Sequence, residues 1–132
     1  MDVQQTKHMG TRFARLRLLA RSAEVAARDL GETDAAEAHR LFAAGQDAAQ
    51  RVENIAKLGH THADVPMWAA DVLAAWSQLA AKVLPVDLGV SVELSEQLAY
   101  LRNEAFPPPP EPVAEPVQSK TTFQMVYRSR GQ

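Results

Sequence analysis

From Ala35 to Leu58 the apolar and small residues fall at Ala38, Leu41, Gly45, Ala48, Val52 and Ile55. The steps alternate between three and four, as on a helical face packed lengthwise against other helices. A half-buried strand would alternate every second residue, and this stretch does not. Thr33 is the expected cap of this helix, and Lys57 and Gly59 its closing residues. Gly45 sits in mid-helix, where glycine costs about 1 kcal/mol against alanine. On the core stripe, that cost predicts a place where two backbones approach closely.

Three further segments carry the same periodicity. Phe13, Leu16, Ala20, Ala23, Ala27 and Leu30 predict a first helix over 12–30, capped by Thr11 and stopped at Gly31. Ala69, Val72, Trp76, Leu79, Ala80 and Val83 predict a third, begun by Pro66 and ended by Pro85, with Trp68 half exposed beside it. Leu94, Leu98, Leu101 and Ala105 predict a shorter fourth over 92–105, capped by Ser91. Short polar loops between such helices favour antiparallel neighbours. The expected fold class is all-α, an antiparallel helical bundle of three long helices and one short one over residues 11–106. A flexible N-terminal arm of residues 1–10 precedes it.

After Phe106 the pattern changes. Residues 107–116 read PPPPEPVAEP, which no helix or central strand survives. This is a Pro-rich spacer, extended at about 3.1 Å per residue. Residues 117–132 are expected to act as a C-terminal docking peptide. Within it Phe123, Met125 and Tyr127 alternate with polar residues in a strand-like pattern. Lys120, Arg128 and Arg130 are its charges, unopposed by any acid.

Composition narrows the picture. One domain is the default for 132 residues. Much of the 46% apolar content is alanine, so the expected core is thin and close-packed. The absence of cysteine excludes disulfides, thiol catalysis and thiolate metal sites. Net charge is −2, so no global field draws the chain to nucleic acid or membrane. No apolar run approaches the roughly 20 residues of a membrane span. A soluble protein is expected, cytoplasmic when made and able to become part of a particle.

Candidate chemistry is sparse. His60, His62 and Asp64 alternate in one loop, a donor set that suits zinc or another divalent metal. A structural site would need a fourth ligand, and Asp64 also suits a helix cap. His39 reads as solvated. No nucleophile elbow, phosphate loop or Glu-x-x-His pair occurs, so neither an enzyme nor a cofactor is expected. Arg12, Arg17, Arg21 and Arg28 make the first helix basic and able to touch a phosphate backbone. Ala27-Arg28-Asp29-Leu30-Gly31 resembles the first helix and turn of a helix-turn-helix. The chain departs from that motif at Glu32 and Glu37, where apolar residues should hold the two helices together.

No family resemblance covers enough of the chain to name one. The function expected is a non-enzymatic interaction protein that joins a larger assembly by self-association or through neighbouring subunits. By analogy, its concrete form is an accessory virion protein of a phage or similar particle. Phe123, Met125 and Tyr127 would anchor it, and Lys120, Arg128 and Arg130 would steer it. The alternative is a small nucleic-acid-associated regulator using the basic first helix.

Overall fold

The computed structural model describes residues 1–107. The spacer beyond Pro107 and the C-terminal docking peptide lie outside the described residues. Those described form four helices and no strand: α1 (Val3–Ala26), α2 (Glu32–Lys57), α3 (Val65–Lys82) and α4 (Leu88–Ala105). A short 3-10 turn, Ala27–Leu30, follows α1.

Side-chain pairs give the directions. Gly10, Arg17 and Glu24 on α1 meet Ala56, Glu53 and His39 on α2, so the two run antiparallel. Lys82 on α3 meets Asp34 on α2, and Trp76 meets Phe42. Arg102 on α4 meets Ser77 on α3, and Ser91 meets Ala80. His8 and Arg12 then bring α1 back against Glu104 of α4. The four helices therefore close into a bundle, each antiparallel to its neighbours in the chain. They comprise two long helices of 24 and 26 residues and two shorter ones of 18 each, rather than three long and one short.

The first ten residues correct the expectation of a flexible arm. Asp2 and Gln5 form a capping box: Gln5 N–H donates to Asp2 Oδ1, and Asp2 N–H to Gln5 Oε1, both at 2.8 Å. Two of the amides that every helix start leaves unpaired are satisfied, so α1 begins at Val3. Thr6, Met9 and Gly10 are buried. Thr6 Oγ1 lies 2.8 Å from Thr61 Oγ1, tying the start of α1 to the α2–α3 loop. Thr11, expected as the cap, sits inside α1 and donates to the Lys7 carbonyl.

Other ends shift for similar reasons. Gly31 has φ 105°, a conformation other residues adopt only with strain, and it stops the 3-10 turn as expected. It also occupies the cap position of α2, which puts Thr33 inside that helix. α4 begins at Leu88, because Asp87 Oδ1 accepts from Val90 N–H at 3.1 Å. Ser91 is buried instead, and its hydroxyl donates to the Ala80 carbonyl at 2.7 Å. A small hydroxyl there lets α3 and α4 come close.

The core is built round Trp76, which is fully buried with Phe13, Leu79, Leu94, Leu98 and Leu101. Its ring lies on Gly45. A methyl group built at Gly45 would stand 2.1 Å from the indole nitrogen. The close approach expected at Gly45 is therefore between a backbone and a tryptophan ring, not between two backbones. The indole N–H donates to the Phe42 carbonyl at 3.3 Å, and the Phe42 ring stacks on it at 6.4 Å. Phe42 is nearly fully buried, whereas Leu41, placed on the core stripe by spacing, is only partly so.

Candidate functional site

The basic first helix does not present its arginines as one open face. Arg17 meets Glu53 of α2 through both guanidinium nitrogens, one bond measuring 3.2 Å. The Glu53 side chain is only 9% exposed and that of Arg17 25%. A carboxylate so buried needs its partner, since an unpaired buried charge costs several kcal/mol. Arg21 approaches Glu24 Oε1 at 3.1 Å and lies 5.5 Å above the Phe42 ring. That approach lacks hydrogen-bonding geometry, and Glu24 Oε1 is buried without a hydrogen bond. The other carboxylate oxygen of Glu24 meets Nδ1 of His39. His39, expected as simply solvated, stays largely open to solvent but ties α2 to α1.

Arg12 turns the other way. It lies over the Tyr100 ring at 5.3 Å and 3.7 Å from Glu104, both on α4. Arg28 is exposed on the 3-10 turn. The structure thus directs Arg17 and Arg21 to α2 and Arg12 to α4, and brings no three of the four together. Their carboxylate partners are remote in sequence, except for the Arg21–Glu24 pair one helical turn apart, so residue spacing does not reveal them.

The α2–α3 loop holds His60, His62 and Asp64. The His62 ring stacks on Trp68 at 5.2 Å, and its Nδ1 accepts from Asp64 N–H at 3.0 Å. Asp64 occupies the cap position of α3, but its carboxylate makes no capping bond. The His62 ring and the Asp64 carboxylate approach only to 3.9 Å. Among the described residues no three histidine, cysteine or acidic side chains gather as metal ligands would. Lys82 bridges Asp34 and Glu37 at 3.2 and 3.3 Å. Those hydrogen bonds, Asp34 first, raise its pKa above the ordinary 10.5.

Sequence spacing does not reveal a groove on the surface of the bundle. Gly10 is buried against α2, where an added methyl group would come within 2.9 Å of Ala56 Cβ. Beside this contact a groove of about 510 Å³ runs between α1 and α2. Gly10, Ala14 and Ala56 line it, Leu18 stands at one end 74% exposed, and Lys7, Arg15 and Lys57 bring positive charge. The one acid along it, Glu53, is already bound by Arg17. The signal for it was Gly10 itself, which reads as a helix break until it is set inside α1. A smaller cavity of about 130 Å³ lies between the start of α1 and the end of α4, lined by Met1, Gln5, His8, Met9, Glu104 and Ala105. No described helix is long and apolar enough to cross a membrane.

No protein-family model, curated protein or solved structure matches the chain.

Proposed function

We propose that the chain is a non-enzymatic interaction protein in which a helical bundle carries a C-terminal clamp into a larger assembly. Phe123, Met125 and Tyr127 are its anchors, and Lys120, Arg128 and Arg130 guide it to an acidic surface. The proposal's concrete form is an accessory protein of a phage virion or similar particle. The observation that supports the reading is how the bundle fills its core. Each helix supplies fully buried apolar side chains: Phe13 from α1, Val52 from α2, Trp76 from α3 and Leu98 from α4. The anchors of the peptide are three further large apolar residues that the sequence places after the last helix.

The alternative, a nucleic-acid regulator using Arg12, Arg17, Arg21 and Arg28, draws less support. Three of those arginines already face carboxylates within the bundle.

Changing Phe123, Met125 and Tyr127 together to alanine in the full chain tests the clamp. Helicity should stay at the parent level while the solution mass, read by light scattering, falls from an oligomer to a monomer. An oligomer that survives the triple change sinks the clamp. A monomeric parent sinks the self-associating form of the reading.

A further inference from the structure

The α1–α2 groove has a chemistry that selects its occupant. Its lining is apolar and its free charges, Lys7, Arg15 and Lys57, are all positive. A second copy of α1 fits poorly there, because Val3–Ala26 holds five Lys and Arg residues (Lys7, Arg12, Arg15, Arg17, Arg21) against the single acid Glu24. The docking peptide from Lys120 onward is also positive. Like charges brought together across a groove oppose association. After the last helix the chain holds one segment of opposite sign: Glu-Pro-Val-Ala-Glu-Pro-Val, residues 111–117, with two acids, no base and two valines.

We propose that residues 111–117 lie along the α1–α2 groove of their own chain, Glu111 against Lys7 and Glu115 against Arg15. The spacings agree. Lys7 and Arg15 are eight residues apart on a helix, about 12 Å at 1.5 Å per residue. Glu111 and Glu115 are four residues apart, which would span about 12 Å at the 3.1 Å per residue of an extended proline-rich segment. Between the two cations the groove is lined by Gly10, Thr11 and Ala14, and the glycine and alanine leave room for Pro112 and Val113.

The connection is long enough. α4 ends at Ala105, beside Gln5, His8 and Met9 on the first turns of α1. The groove lies across α1 from that point. Passing round one helix of about 10–12 Å diameter means following half its circumference, about 16–19 Å. The stretch from Ala105 to Glu111 spans about 19 Å when extended. Because the segment is tethered, its local concentration at the groove is of millimolar order, so modest contacts hold it. Proline also lowers the entropy lost on docking. In that arrangement the docking peptide would leave the groove at its Leu18 end.

The chain has no cysteine, so a single Ala114→Cys change in the full chain accepts one nitroxide label. Amide signals of the ¹⁵N-labelled protein are then read with the label oxidised and reduced. The proposal expects selective broadening at Gly10, Ala14 and Ala56, independent of protein concentration. Groove amides that show no broadening overturn it. A mixture of ¹⁵N chain without label and labelled chain without ¹⁵N separates the source. Broadening confined to that mixture means that a second copy fills the groove, which also overturns the proposal. E111Q combined with E115Q should weaken the broadening about threefold or more, as should raising salt towards 1 M, where the Debye length is about 3 Å. Broadening unmoved by the double change removes the two glutamates from the contact. These readouts hold whether or not Phe123, Met125 and Tyr127 bind a partner.

Discussion

Two glycines lie inside the long helices, Gly10 on α1 and Gly45 on α2, and they do opposite things. Gly45 faces inward and is filled: the Trp76 ring occupies the space where a side chain would stand. Gly10 faces the outer seam, close to Ala56, with a groove left open beside it. The inner seam packs α2 and α3 around one large side chain, with Lys82 bridging to Asp34 and Glu37 farther along. The outer seam joins α1 to α2 through small residues, the Arg17–Glu53 pair and the Glu24 cluster. Mid-helix glycine thus marks a close approach in both places, and the partner decides whether the result is core or binding surface.

The comparison can be broken first at its strongest point. Gly45→Ala improves helix propensity by about 1 kcal/mol. It also drives Trp76 from its site, and losing that packing costs about 3–5 kcal/mol. A net loss of about 2–4 kcal/mol should lower the thermal midpoint by about 10 °C or more. A midpoint that rises would show that the ring moves aside freely and that the inner seam is not filled as described.

The outer seam predicts a smaller loss, recoverable by chemistry. Arg17→Ala leaves Glu53 buried without its cation. Arg17 is itself a quarter exposed and water can partly replace it, so the cost should be about 2–3 kcal/mol. Arg17→Met with Glu53→Leu should restore most of that stability, since apolar pairs often match buried ion pairs. Urea midpoints of the two variants check this. If the double variant is no more stable than Arg17→Ala, Glu53 holds the seam by something other than its pairing.

Gly10→Ala should have the smallest effect, within about 1 kcal/mol of the parent. The helix gains about 1 kcal/mol of propensity, and against it α1 and α2 must part slightly, because the Ala56 Cβ is fixed to its backbone, at a cost of about 1–2 kcal/mol. A loss as large as at Gly45 would show that the two seams are equally rigid and erase the contrast between them.

How much of this the sequence shows depends on which residues carry it. The α2 stripe, Pro66 near the start of α3 and the Gly31 stop were all legible, because each follows from local geometry. Periodicity alone could not choose between Leu41 and Phe42. A helix with neighbours on two sides buries a wider face than one stripe. The start of α1 was missed because Asp2 and Gln5 stand well ahead of the first large apolar residue of the stripe, Phe13. Ser91 looked like a cap, and only its place against Ala80 shows that it lies between two helices. Arg17 and Glu53 are 36 residues apart, and no spacing rule links them. The groove was hidden for the same reason. It is a product of two helices, and each alone shows only alanine, glycine and solvated charge.

The two tryptophans stand in contrasting surroundings, one sealed in the core against the Phe42 carbonyl and the other at the half-open loop beneath the His62 ring. The molecule therefore carries two native fluorophores in unlike surroundings, one buried and one half-buried. Emission from Trp76 follows the interior, and emission from Trp68 follows the link between α2 and α3. Their wavelengths can be followed during denaturation without attaching any dye, revealing whether loop and core come apart together or in sequence.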